Sequence, residues 1–376
     1  MLFSLALFCH FGCTEKKPSD PTPDIDEFLP PDAVGPYGAG TIMVEFTDPR
    51  GKELRAQIWY PAIISADDEL AEYPPLILTL GAYDRPTPAA LTNAPVVAFS
   101  HGLMAIRAQS TYLMEHLAQH GYVSVAVDHK YNTLYDMDQD KTAQALLERP
   151  DDIRFSVDKL AELVADPNHL LYQIADTTQY LSSGHSLGSH TAAVLAGSTM
   201  EMEGFYTYCS ENPTPLPCRI LNDTGPIDIS GYGQADSRAI GGLLMSPGLW
   251  YTFGENGQNL QNLQSPFAMM STADSVLAYE TEALPTYEKL SSPKGMVVYQ
   301  GVGHYGFTHV CMLASFLFEE CNEDANYPPM EEVHASSKVI ATAYIGYILK
   351  QDARYLPWLE QTKWADQEIT IEHHFD

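Results

Sequence analysis

From about residue 40 onward, short apolar runs alternate with longer stretches of helical periodicity. "TIMVEFTD" and "LRAQIWYPA" alternate apolar and polar residues, as a hairpin does when one face is buried. "PVVAFSHG" and "YVSVAVDH" are short β-branched runs of the kind covered on both faces. Between them "RAQSTYLMEHLAQHG" sets Tyr112, Leu113, His116, Leu117 and His120 at helical spacing and stops at Gly121. His116 and His120 are expected on the partly solvated side of that helix, since "HLAQH" lacks the glutamate of a zinc-binding H-E-x-x-H. "DDIRFSVDKLAELVAD" is a second helix, opened by aspartates and closed before Pro167. "QYLSSG", "AIGGLLMSP", "PFAMMSTAD" and "GMVVYQGVGH" read as four further strands, and "SSKVIATAYIGYILKQD" as a closing helix. An antiparallel start followed by alternating strands and helices predicts an α/β domain. Its core is a single open, mostly parallel eight-stranded sheet with helices on both faces. Insertions rich in Pro and Gly interrupt the pattern at residues 61–94 and 204–234.

The chain carries 20 Lys+Arg against 49 Asp+Glu and has no basic run. That balance excludes nucleic acid and anionic membrane surfaces as direct electrostatic partners. The opening "MLFSLALFCHFGC" has signal-peptide length but no basic flank, and Gly12-Cys13 resembles a lipoprotein cleavage site with Cys13 as the lipidated residue. The bland alternative is an apolar tail. The Pro- and Asp-rich stretch that follows reads as a solvated tether and favours export, either secreted or attached to the membrane through Cys13 alone. Apart from Cys9 and Cys13, four cysteines remain, which allows three pairings. Closeness favours Cys209–Cys218 and Cys311–Cys321, each stabilising by about 2–3 kcal/mol. "DMDQDKTAQALLE" starts like a calcium loop at Asp136, Asp138 and Asp140, but Lys141 stands where glycine is needed and Leu147 where glutamate is needed.

In an open α/β sheet, ligands sit at the carboxyl ends of the strands. There Gly184-His185-Ser186-Leu187-Gly188 matches G-x-S-x-G, between the strand-like "QYLSS" and the helix-like "HTAAVLAG". A serine at such a turn is exposed above the sheet, and the next helix aims its positive end at a developing oxyanion. The alternative is a serine N-cap flanked by glycines. A serine nucleophile needs a base, and the base needs a carboxylate to fix its tautomer. Asp274 and His304 end the next two buried strands in the order serine, acid, histidine. His309 and His101 compete for the base, and Asp236 and Asp228 for the acid. His185 is the variable residue of the turn and is too constrained to be the base, whereas His190 points along the helix. For the oxyanion, one backbone N–H follows the nucleophile at Leu187, and the turn "SHGLM" offers the second at Leu103.

"PVVAFSHGLMAIRAQSTYLMEHLAQHGYVSVAVDHKYNT", "GHSLGSHTAAVLAG", "PFAMMSTADS", "VGHYGFTHVC" and "YILKQDARYLPWL" together resemble α/β-hydrolases of the platelet-activating-factor acetylhydrolase-like and predicted dienelactone-hydrolase-like kind. The likeness runs in order from Gly35 to about Leu359. It implies hydrolysis of carboxylic esters with no cofactor, on short-chain acyl esters or short-acyl and oxidised phospholipids. By the resemblance, Ser186 is the nucleophile, His304 the base, Asp274 the acid, and Leu103 and Leu187 the oxyanion donors. Ser189 stands where the family has a glycine. "LLMSPG" offers Ser246 where the eukaryotic acetylhydrolases carry their acid, which favours Asp274. Ser186 argues against dienelactone hydrolysis itself, which uses a cysteine. Trp250 and Tyr251 are candidates to line an acyl or aromatic pocket, or to pack a lid. Rival readings on the same residues are acyl transfer, polyester or lactone hydrolysis, and a non-catalytic hydrolase-fold binding protein. The expected organisation is a signal or lipoprotein peptide over 1–13, a tether over 14–40, the hydrolase domain over 41–360 and an acidic tail over 361–376.

Overall fold

A computed structural model describes residues 28–74, 77–213, 218–219, 228–311, 319–321, 327–360 and 371–375. Cys9, Cys13 and the leader lie outside these residues. The eight expected strands all form: β1 (Gly38–Thr47), β2 (Glu53–Ile63), β6 (Ala94–Ser100), β7 (Val123–Asp128), β8 (Ala175–His185), β9 (Ala239–Met245), β10 (Pro266–Ser271) and β11 (Gly295–Tyr299). They stand side by side in the order β11-β10-β9-β8-β6-β7-β2-β1. The six from β7 to β11 run parallel, β2 is antiparallel to β7, and β1 is antiparallel to β2.

The count of eight needs correcting: among the described residues the sheet has twelve strands and is mixed. The insertion after β2 contributes β3 (Leu70–Tyr73), β4 (Ile77–Asp84) and the two-residue β5 (Thr87–Pro88). β4 pairs parallel with β1 and carries β3 antiparallel on its far side. At the other edge β12 (Ile371–Phe375), inside the stretch expected as an acidic tail, pairs antiparallel with β11. Both additions cover a row of backbone groups that an eight-stranded sheet would leave open. Segment 28–37, expected as tether, packs on the domain as well. Phe28 meets Tyr355 edge-on at 5.0 Å, and the carbonyl of Pro31 accepts from His116.

Period-two alternation decides which face each strand residue serves. In β6, Val97 and Phe99 enter the core beneath α1 (Thr111–Gln119) and a C-terminal helix (Met330–Leu349), while Val96 and Ala98 enter the core beneath α2 (Thr142–Ala165). α3 (Leu187–Leu195) packs on the second face with Leu244, Ala268 and Val298. Helices thus cover both faces. α2 starts nine residues before the aspartates expected to open it and runs through Pro150, with Leu146 and Leu147 buried. His116 and His120 are not on a solvated side, because residues 28–37 cover them and leave them 8% and 4% exposed. Both expected disulfides form, Cys209–Cys218 and Cys311–Cys321, with Cα atoms 5.2 and 5.0 Å apart. They are consistent with an extracellular protein. Among the described residues no helix is long and apolar enough to cross a membrane.

Candidate active site

Ser186 follows β8 directly and caps α3 with φ 56° and ψ −122°, a left-handed strain that a serine accepts only where its surroundings enforce it. The flanking glycines show what does the enforcing. A Cβ on Gly184 would fall 2.2 Å from the Gly188 carbonyl oxygen, and one on Gly188 would fall 1.9 Å from that of Ser100. The elbow can therefore press against the turn that ends β6. Ser189, where the resemblance leads one to expect glycine, fits by donating its hydroxyl to the Ser186 carbonyl at 2.6 Å. The departure thus reinforces the elbow.

Asp274 and His304 come together from the ends of β10 and β11. Asp274 Oδ2 lies 2.7 Å from His304 Nδ1, and Oδ1 accepts the N–H groups of Val276 and Leu277 at 2.8 and 2.7 Å. An ionised carboxylate only accepts, so Nδ1 carries the proton and Nε2 is left to take one. Burial pushes the Asp274 carboxyl up, but the imidazole of His304 and the two N–H groups outweigh it and hold it below the usual carboxylate range. Both side chains are nearly buried. His304 is held against the elbow: its ring centroid is 4.7 Å from that of His185, and its carbonyl accepts from His185 Nε2 at 2.8 Å. Among the described residues the Ser186 hydroxyl makes no hydrogen bond. The structure brings Asp274 and His304 into contact and packs His304 on His185, the residue before Ser186.

The turn after β6 leans on the same elbow, since a Cβ on Gly102 would sit 3.4 Å from Ser186 Cβ. Its Gly102 N–H donates to Gln109 Oε1 at 2.6 Å, which leaves the Leu103 N–H as the next donor of the turn. The Leu187 N–H is the first of α3 and has no acceptor within the helix. From behind, Arg149 holds the turn. Its guanidinium, fully buried, donates to the His101 carbonyl, to Ser100 Oγ, to Asn132 Oδ1 and to Thr191 Oγ1. Burial pulls Arg149 down to about 9.

The competing residues are engaged elsewhere. His101 Nδ1 donates to the Gly102 carbonyl and Nε2 accepts the His129 N–H. Asp236 pairs with Arg238 ahead of β9, at the opposite end of the sheet, and Asp228 accepts from Ser230. His190 faces Thr252 Oγ1 at 2.8 Å. His309 is buried, and neither ring nitrogen finds a partner among the described residues. Asp136 accepts the Tyr131 and Thr133 N–H groups and shapes a turn.

Beside Leu187 stands an aromatic wall. Tyr208 and Tyr251 stack at 3.9 Å with Trp250 edge-on to both, and Leu187 packs against this cluster. Glu282 holds the wall from below, accepting the Leu249 N–H at 2.8 Å and the Tyr251 hydroxyl at 3.1 Å. Glu320, next to the disulfide at Cys321, accepts the Tyr305 N–H in the turn that carries His304. Sequence reasoning found Trp250 and Tyr251 but not Gln109, Arg149, Glu282 or Glu320. None stands in a motif, even Arg149 inside α2, and the role of each exists only through a partner outside its own segment.

Residues 85–162 match the family described as platelet-activating factor acetylhydrolase, isoform II. The match supports a platelet-activating-factor-acetylhydrolase-like family, and such a family implies an α/β-hydrolase fold and suggests a serine ester hydrolase. The matched stretch contains the turn after β6, Gln109 and Arg149; Ser186, Asp274 and His304 lie outside it. A search of curated proteins returns no match.

Proposed function

We propose that the chain is a carboxylic ester hydrolase in which Ser186, His304 and Asp274 form the catalytic triad and an acyl-enzyme is the intermediate. The observation that carries the reading is the buried Asp274–His304 pair, 2.7 Å apart, set against the strained elbow of Ser186. Asp274 keeps the proton on Nδ1, so His304 Nε2 takes the Ser186 proton as Oγ attacks the ester carbonyl carbon. The carbonyl π-electron pair moves to oxygen, which accepts the Leu103 and Leu187 N–H groups. On collapse the carbon–alkoxide bond breaks and the leaving oxygen takes the proton from Nε2. Water then gives a proton to His304 Nε2 as it attacks the acyl carbon; the acyl–Oγ bond breaks, Oγ takes that proton back, and the free acid leaves. The aromatic wall at Trp250 and Tyr251 supports short acyl chains, with short-acyl or oxidised phospholipids as the extension that the family match suggests. The two disulfides support an exported protein, and a lipidated Cys13 would be its only membrane attachment.

The direct test is p-nitrophenyl acetate or butyrate hydrolysis with fluorophosphonate labelling. Wild type hydrolyses the ester and is labelled at Ser186, and Ser186→Ala loses both. Undiminished hydrolysis by Ser186→Ala would sink the reading.

A further inference from the structure

We infer that Gln109 and His185 form a positioning relay that locks the oxyanion turn and the loop of His304 onto the nucleophile elbow. The inference rests on the serine-esterase reading above. Three segments meet here that are far apart in sequence. Gln109 Oε1 accepts the Gly102 N–H at 2.6 Å, Gln109 Nε2 meets His185 Nδ1 at 2.7 Å, and His185 Nε2 meets the His304 carbonyl at 2.8 Å.

The direction of each bond follows from the ends. A backbone N–H only donates, so the Gln109 oxygen faces Gly102 and its NH2 faces His185. His185 Nδ1 therefore accepts, Nε2 carries the proton, and that proton goes to the His304 carbonyl, which only accepts. Every bond has one donor and one acceptor with His185 neutral. Its surroundings keep it so: burial first, then the neighbouring His304, push its imidazole down to about 3. Gln109 and His185 are 7% and 2% exposed.

The main chain around Gln109 extends the clamp. Its carbonyl accepts the His309 N–H at 2.8 Å, and Ser110 Oγ donates to the Phe307 carbonyl at 2.9 Å. The base-bearing loop is thus tied at residues 307 and 309 to the start of α1 and at residue 304 to His185 of the elbow. Two consequences bear on the reaction. Gln109 absorbs the Gly102 N–H, which turns the Leu103 amide toward the place where the oxyanion forms. His185 pins the backbone of the base, and so sets where His304 Nε2 stands over Ser186. Catalytic geometry tolerates about 0.5 Å of slack, and a 1 Å error costs on the order of a hundredfold.

The test uses the full chain and p-nitrophenyl butyrate kinetics on Gln109→Met, His185→Leu, the double variant and His185→Gln. Thermal unfolding and fluorophosphonate labelling run in parallel. Breaking the relay at either point lowers kcat by about 10- to 100-fold, leaves KM within about twofold, and slows labelling of Ser186. The double variant is no slower than the slower single one, because a relay can be broken only once. His185→Gln, whose amide both accepts and donates, recovers most of the loss, whereas a site that merely needs filling favours leucine. Unchanged kcat in Gln109→Met and His185→Leu overturns the relay, as do losses that multiply or a leucine variant equal to the glutamine one. If His185→Leu does not fold, Gln109→Met decides alone. Failure of wild type to label at Ser186 overturns the esterase reading and the relay with it; labelling with unchanged variant kinetics overturns only the relay.

Discussion

At the scale of single residues, the chemistry depends on proton placement. Asp274 accepts from His304 Nδ1 and two backbone N–H groups, so a neutral amide in its place has the right shape and the wrong donors. Asp274→Asn is expected to fold and to lose about 10³- to 10⁴-fold in kcat on p-nitrophenyl butyrate, because Nδ1 no longer has a carboxylate to hold its proton. A loss below tenfold would remove Asp274 from the triad. Because its folded pKa is depressed, Asp274 contributes stability above the ordinary carboxylate range, and that stability is lost as pH falls through the lowered value. Ser186, Asp274 and His304 were singled out in the chain because each stands at or shortly after the end of a buried strand run, where strand ends converge. Gln109 was not, because nothing in "AIRAQS" says that its amide lies between Gly102 and His185.

At the scale of elements, the loop after β9 is held by one buried carboxylate. Burial raises Glu282 to about 7 against the N–H of Leu249 and the hydroxyl of Tyr251, which pull it down. A raised folded pKa means that its stability is fully present below the unfolded value near 4.5 and is lost as pH rises through about 7. The loss over that span is on the order of 3 kcal/mol. Glu282→Gln stays neutral throughout and can still accept the Leu249 N–H. Urea unfolding should find it close to wild type at pH 5 and clearly more stable at pH 8; a constant difference between the two would be contrary evidence. The element pattern was legible for the eight central strands, whose alternation or β-branched runs follow from burial. β3, β4, β5 and β12 escaped it. Three of them lie in the Pro- and Gly-rich insertion over 61–94, and all four add at the margins of the central strands, where an open edge lies beside them.

At the scale of the whole molecule, buried histidines set the acid limit. Burial is the first cause that pushes His185, His190 and His334 down to about 3, His309 to about 4 and His116 to about 2. Depressed histidines give stability that is complete above the unfolded value near 6.5 and is lost as pH falls towards the folded values, up to about 1.4 kcal/mol per pH unit for each. Glu282 works in the opposite sense, as do Asp151, Asp152 and Glu320, whose carboxyls burial also raises, but the depressed histidines outnumber these groups. Denaturant unfolding should therefore show stability falling steeply from pH 6.5 to 5, well above the range where most carboxylates protonate. A flat profile there would mean that these rings are hydrated or protonated in the folded protein.

Read alone, the chain determined the α/β alternation, the eight central strands, the cysteine pairs and the strand-end residues. Those depend on periodicity and on spacing within a short window. Only the tertiary structure brought the Asp274 carboxylate onto His304, laid residues 28–37 over His116 and His120, and added strands at both margins of the eight-stranded core. It also placed the His185 ring against the His304 carbonyl, the contact on which the proposed relay rests. The reason is physical: burial patterns repeat every few residues, whereas the hydrogen bonds of Gln109 and His185 span 76 and 119 residues. Such partners are set by which strands the fold places side by side.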